Sequence, residues 1–384
     1  MNLYGVYSLF DIELEYGRGA YVYDKKDIGY LDFYGGHAVI SIGHNHPHYN
    51  SSISNQLHKL PFYSNSVINS LQEKLADNLE RISGISGYDA FYINSGAEAN
   101  ENALKLASFA NDRKKVLALE NGFHGRTSAA INVTHSGQQH AAPINKGVEV
   151  EFYKKDDIKN IVNAINGENI SAVIVEAIQG VGGLDAIKTE DAKQIEYACN
   201  QTDTLLIMDE VQCGYGRSGR FFAYQFLGIR PDIITIGKGM GNGFPIGGVL
   251  IDREKLPAQK GRLGTTFGGN QLACAAGVAV LEVIEAEGLI ENAEVKGELL
   301  KTELSKMPDV KQVKGKGLML GLEFDHPVDD LRKELVYNQH LFTGSSTNPN
   351  LLRLLPPLSI TDKEVDLFFL KLKRGLKAIN VNES

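Results

Sequence analysis

The sequence is poor in cysteine, in basic charge and in long apolar runs. Its three cysteines, Cys199, Cys213 and Cys274, show no CxxC spacing, which argues against a zinc site and a disulfide framework. Lys and Arg number 39 against 47 Asp and Glu, a formal charge of −8 with histidine neutral. That balance speaks against nucleic acid or an anionic membrane surface as partner, since both select a basic face. No apolar run approaches the roughly 18 residues of a membrane span. The opening Met1-Asn2-Leu3-Tyr4, soon followed by Asp11, Glu13 and Glu15, lacks the basic start and apolar stretch of a secretory leader. A cytoplasmic chain is therefore expected. What is present is a 43% hydrophobic content, ample for a packed core, and 384 residues, enough for two or three domains. Glycine is abundant at 40 residues, clustered in short loops after apolar segments.

The first fifty residues alternate as strands do, in Tyr21-Val22-Tyr23 and Tyr30-Leu31-Asp32-Phe33. From Leu71 helices alternate with short apolar runs. Seven such runs read as strands: Phe91–Ile93, Val116–Leu119, Val148–Tyr153, Ala172–Val175, Leu205–Met208, Ile233–Ile236 and Gly248–Ile251. Helix-like stretches such as Ala97–Ala110 and Ala192–Asn200 lie between them. The alternation predicts an α/β fold with a mostly parallel sheet, and such sheets bind ligands beyond the carboxyl ends of their strands. Gln271–Ala286 reads as a long apolar helix. Helix candidates near Ala293–Lys306 and from Thr361, and strands at Leu318–Glu323 and Leu351–Leu354, make a third region that the N-terminal strands are expected to join.

Several segments carry chemistry. Asn94-Ser95-Gly96-Ala97-Glu98-Ala99-Asn100 follows a strand and opens a helix; Ser95 and Glu98 have capping-box spacing, and the N–H groups of Gly96 and Ala97 would suit a phosphate. A well-capped helix explains the same residues. Asp209-Glu210 ends an apolar strand, where Asp209 could hold a protonated ring nitrogen or simply face solvent. Gly237-Lys238-Gly239 repeats that geometry with an amine, a nucleophile if desolvated and ordinary surface if not. Phe123 could stack on a planar group and Arg126 could fork onto a carboxylate. Thr265 and Thr266 put two hydroxyls in a glycine-rich loop ahead of a helix. Gly214-Tyr215-Gly216-Arg217-Ser218-Gly219 matches GxGxxG, but Asp209–Gln212 separate it from its strand, and the acid at the right distance, Asp232, precedes a strand. A dinucleotide site is not expected there.

In this order, Ser95–Asn100, Phe123–Thr127, Asp209–Gln212, Gly237–Gly239 and Thr266–Asn270 resemble the class III pyridoxal-phosphate aminotransferases of fold type I, and within them the N-acylornithine aminotransferases of arginine biosynthesis. The resemblance runs from about Tyr21 through Leu354. It implies a large cofactor-binding domain over residues 50–268, with a mostly parallel seven-stranded sheet. A smaller α+β domain would come from residues 1–49 and 269–384. It implies Lys238 as the Schiff-base lysine and proton shuttle, Asp209 on the pyridine nitrogen, Gln212 at the ring hydroxyl and Phe123 on the ring face. Gly96 and Ala97 would hold the phosphate, with Thr266 contributing from the other subunit of a homodimer. Arg126 and Thr265 match positions that contact the acylornithine, and Arg353 matches the arginine that grips glutamate or 2-oxoglutarate.

The implied reaction moves the ω-amino group of an N-acetyl- or N-succinylornithine to 2-oxoglutarate. Free ornithine, γ-aminobutyrate and diamines are alternative donors. A nicotinamide oxidoreductase and a non-catalytic cofactor-binding protein are the alternatives outside the class. Two positions depart from the pattern. Gln179-Gly180-Val181 lacks the glutamate that usually pairs with the arginine at 353, and His37 stands where an apolar residue is usual. Valine predicts an Arg353 open to a second donor carboxylate, such as a succinyl group, unless water or a nearby side chain satisfies it.

Overall fold

The computed structural model describes residues 1–167 and 169–382. Three short strands come first, β1 (Leu14–Arg18), β2 (Tyr21–Asp24) and β3 (Gly29–Asp32). The seven expected strands follow as β4 (Tyr88–Ile93), β5 (Lys115–Leu119), β6 (Glu149–Tyr153), β7 (Ile170–Val175), β8 (Leu205–Asp209), β9 (Ile233–Ile236) and β10 (Gly247–Asp252). They form one sheet in the order β4-β10-β9-β8-β7-β5-β6. Only β10 runs against its neighbours, pairing antiparallel with both β4 and β9. Every residue of β7, β8 and β9 is buried. This is why they read as continuous apolar runs: a strand covered on both faces has no polar side to alternate with.

Gln271–Ala286 is apolar over most of its circumference, and 12 of its 16 residues are buried. It packs against helices Pro47–Lys59 and Ser70–Ser83. The Asn270 side chain starts it by accepting from the Ala273 N–H at 2.9 Å. The helix expected near Ala293–Lys306 spans Leu289–Leu304 and enters from Gly288 at φ +61°. Beyond it lie β11 (Gln312–Lys316), β12 (Met319–Glu323), β13 (Leu341–Phe342) and β14 (Leu351–Leu354). A three-stranded antiparallel sheet joins β11, β12 and β14. The two residues of β13 pair in parallel with β3, tying the first strands to the C-terminal region. The last helix, Asp362–Asn382, starts where the Glu364 carboxylate accepts from the Thr361 N–H at 2.9 Å.

Candidate active site

Five strands that point the same way end at one edge of the large sheet. β8 ends at Asp209, β9 just before Gly237-Lys238, β7 just before Glu176, β5 ahead of the Gly122–Thr127 loop and β4 ahead of Asn94-Ser95-Gly96. The crevice beyond such an edge is where this architecture binds ligands.

Ser95 caps helix Gly96–Asn111, its Oγ accepting from the Glu98 N–H at 3.2 Å. The Glu98 carboxylate does not close the expected box on Ser95. It accepts from the N–H of Asn94 at 2.9 Å and from the Asn94 amide at 3.0 Å, one residue further back. Gly96 is required by close approach: a Cβ there would lie 2.4 Å from Cγ1 of Val211. A Cβ on Gly237 would lie 3.3 Å from the Gly96 nitrogen, so the helix start and the lysine loop share one cleft. The first N–H groups of the helix have no carbonyl one turn behind them and present donors there.

Asp209 is 3% exposed and fully engaged on one oxygen. Its Oδ2 accepts from His124 Nδ1 at 2.7 Å and from the Asn100 amide at 2.8 Å, while Oδ1 accepts from the Val211 N–H at 3.0 Å. Thr235 donates to Asn100 at 2.8 Å and fixes the direction of that amide. Burial alone would raise the Asp209 carboxyl. The hydrogen bond and charge of His124, the Val211 N–H and nearby Lys238 outweigh it and hold the group below the ordinary carboxylate range. Oδ1 thus keeps a lone pair for one more donor, which suits a protonated ring nitrogen. Lys238 is half-buried, with its backbone at φ +42° in the left-handed region. Burial pulls its amine below the usual lysine range, Arg353 adds to that, and Asp209 and Glu176 oppose it. An acceptor-rich Asp209, an amine eased toward neutrality and a helix start fit a pyridine ring bearing a phosphate.

Glu176 spans the next two loops. Its Oε1 accepts from the Phe123 N–H at 2.9 Å and its Oε2 from the Gly180 N–H at 2.8 Å. Arg353, 3% exposed on β14, donates from Nη1 to the Gly180 carbonyl at 3.0 Å and to Gln212 Oε1 at 3.3 Å, and from Nε to the Ser345 carbonyl. Among the described residues no carboxylate pairs with it, as the valine at 181 predicts. Carbonyl and carboxamide oxygens surround it instead. Gln212 donates in turn to the His37 carbonyl at 3.2 Å. Gly35, Gly36, His37 and Ala38 all have φ between +53° and +67°, a left-handed turn that carries the His37 ring against the Tyr34 hydroxyl. Burial, then the charges of Arg353 and Lys238, hold His37 below the usual imidazole range.

The structure therefore gathers Lys238, Asp209, Gln212, Gly96, Ala97, Phe123 and Arg353 around one crevice. Ala97 packs where a Cβ on Gly125 would lie 2.8 Å from its own Cβ. Thr265 accepts from the Gly268 N–H at 3.1 Å and from the Asn94 amide at 3.5 Å, which seats its loop beside the end of β4. Arg126 and Thr266 are exposed and make no hydrogen bond or ion pair with the cluster among the described residues.

The family model for class-III aminotransferases matches residues 6–376. The chain is a class-III aminotransferase. An acetylornithine aminotransferase of Bacillus subtilis (strain 168) is 39% identical over 382 residues, covering 98% of this chain and 97% of its own. That of Archaeoglobus fulgidus is 40% identical over 364 residues, covering 94% of each. Among solved structures, the ornithine aminotransferase from Toxoplasma gondii ME49 superposes with a TM-score of 0.89 at 30% identity, covering 98% of this chain and 92% of that one. A second structure of the Toxoplasma enzyme has pyridoxal phosphate at its active site in partial occupancy.

Three residues of this aminotransferase site carry no role in the sequence reading. His124 and Asn100 lie inside segments already singled out, yet only the fold shows that both aim at Asp209. Glu176 follows the same grammar as Asp209, an acid directly after a buried strand, and that signal was readable.

Proposed function

We propose that this pyridoxal-phosphate-dependent enzyme transfers the ω-amino group of an N-acylornithine to 2-oxoglutarate, giving the N-acyl semialdehyde and glutamate in arginine biosynthesis. The observation that carries the reading is the pairing of Asp209 and Lys238: a buried carboxylate with a free lone pair across the crevice from a desolvated amine. When bound, the cofactor supplies the electron sink for the electrons released at the substrate carbon. Lys238 would hold it through Nζ and, once released, move the proton between substrate carbon and cofactor carbon. Asp209 would keep its charge on the ring nitrogen, stiffened by His124 and Asn100. Phe123 would cover the ring face, Gln212 the ring hydroxyl, and Gly96 and Ala97 the phosphate, with Thr266 reaching the partner's phosphate. The exposed position of Thr266 supports that last role, and with it a homodimer. Arg353 would grip the α-carboxylate common to both substrates, and Arg126 with Thr265 would meet the acyl end.

The relatives named acetylornithine aminotransferase support the N-acyl donor. Similarity to the Toxoplasma ornithine aminotransferase favours free ornithine as the second reading. The division at residues 50–268, with 1–49 and 269–384 as the smaller unit, and a cytoplasmic location belong to the same proposal. The test is a panel of N-acetylornithine, N-succinylornithine, ornithine, γ-aminobutyrate and a diamine, each followed by cofactor absorbance and glutamate formation. An N-acylornithine should lead, and Lys238→Ala should turn over none. A lead for free ornithine would replace the reading with the second one.

A further inference from the structure

The Gly214–Gly219 segment matches GxGxxG, and its arginine lies outside the site described above. Arg217 is 2% exposed. Among the described residues no carboxylate pairs with it. Its guanidinium instead reaches three carbonyls from three distant segments: Leu318 at 3.2 Å and Pro356 from Nη1, and Ile40 at 3.2 Å from Nη2. Its own carbonyl accepts from the Leu318 N–H at 3.0 Å, so residues 217 and 318 hold each other reciprocally. The surrounding glycines make this approach possible. Tyr215, Gly216 and Gly219 have φ of +57°, +82° and +88°, and a Cβ on Gly317 would lie 2.4 Å from the Ser218 carbonyl carbon.

A buried cation without a directly paired carboxylate is costly, even with the charge of Asp32 in its field, so its retention asks for a reason. The three segments share one. Leu318 immediately precedes β12, and Pro356 follows β14 by two residues; β12 and β14 pair with Gly321 opposite Arg353. Ile40 follows the left-handed turn whose His37 carbonyl takes the Gln212 amide, and Gln212 takes Arg353. Hydrogen bonds and two short stretches of chain close a ring: Arg217 bonds Pro356, the chain runs back to Arg353, Arg353 bonds Gln212, Gln212 bonds His37, and the chain runs on to Ile40, which bonds Arg217. A forked guanidinium can hold several carbonyls at fixed spacing, which the point charge of a lysine does not reproduce.

We propose that Arg217 is a positioning residue that sets where Arg353 stands relative to the Asp209–Lys238 edge, and so governs the grip on the substrate carboxylate rather than the handling of the amine. The inference rests on the carboxylate-binding role proposed above for Arg353. The experiment compares the native holoenzyme with Arg217→Met, Arg353→Gln and the double variant, reading KM for 2-oxoglutarate, kcat and the absorbance of bound cofactor. Arg217→Met should raise KM about tenfold with kcat within about threefold and the absorbance unchanged. In the double variant KM should not exceed that of Arg353→Gln alone, because residues acting through one another are not additive. An unchanged KM with only a lower Tm, or effects that multiply in the double variant, overturns the proposal. If Arg217→Met does not fold, Arg217→Lys is read by the same criteria. A native enzyme that does not use 2-oxoglutarate overturns the functional reading and this proposal with it. Native turnover combined with an unmoved KM in the variant overturns only the role of Arg217.

Discussion

Asp209 and Glu210 are neighbours in sequence, both buried, and the structure gives them opposite electrostatics. Asp209 faces the site and is held ionised by His124. Glu210 faces inward, accepting from the N–H groups of Ala223 at 2.9 Å and Tyr224 at 2.7 Å and from the Cys213 thiol at 3.2 Å. Burial pushes its carboxyl up to about 7, despite those donors. The sign follows: the folded form holds the proton more tightly than the unfolded one, so this contribution is present below the unfolded pKa, near 4.5, and is lost as pH rises through about 7. The loss is on the order of 3 kcal/mol. Thermal unfolding from pH 5 to 8 should show it, and Glu210→Gln should flatten that slope while starting from a lower Tm. At Val181 the oxygens around Arg353 weaken the case for a second carboxylate on the donor. Val181→Glu would add an acid one residue after Gly180, whose carbonyl holds the guanidinium, where it would compete with the substrate. KM for 2-oxoglutarate should rise several-fold, and an unmoved KM would show that residue 181 does not face Arg353 during turnover.

Helix Gly96–Asn111 joins the side of the crevice proposed for the phosphate to the side proposed for the ring. Its first residue packs on Val211, whose N–H holds Asp209, and its fifth, Asn100, holds Asp209 from the other side. One methyl at its start would therefore disturb both proposed roles. Gly96→Ala should weaken cofactor binding by about tenfold or more, read by absorbance titration, for an overpacking cost of about 1–3 kcal/mol. Binding as tight as native would mean that Val211 turns aside without moving Asp209. The strands of this layer were legible because parallel strands buried on both faces leave uninterrupted apolar runs. The capping box was half legible. Ser95 behaves as its type requires, but Glu98 is drawn to Asn94, whose position depends on the end of β4 rather than on helix spacing. The left-handed turn at Gly35–Ala38 was legible only in part: Gly35, Gly36 and His37 are residue types that adopt positive φ, but Ala38, at φ +65°, is not.

As a whole the single chain leaves apolar surface in water. Leu3, Tyr4, Val6, Tyr7 and Leu9 are exposed along the first residues, and Phe62, Tyr63 and Ile68 are exposed, as is Phe267 beside Thr266. Phe62 and Phe267 already meet with their rings tilted at 48° and their centroids 5.4 Å apart. Exposed apolar residues of this kind suit an interaction site, and in the proposed homodimer Thr266, next to Phe267, would reach the neighbouring crevice. Light scattering should give a dimer, and Phe267→Glu should yield monomer with transaminase activity reduced at least about tenfold. An active native monomer would remove the shared site. By itself the sequence determined the alternation of strand and helix, the acid and the amine at strand ends, and the loops that follow them. Those properties are local: periodicity, capping and apolar runs act over a few residues. Which atoms hold Asp209, what replaces the missing glutamate at Arg353 and what the Gly214–Gly219 segment supports were decided only by tertiary structure. Each depends on groups tens to hundreds of residues apart, brought together because buried polar atoms must find partners wherever the fold supplies them.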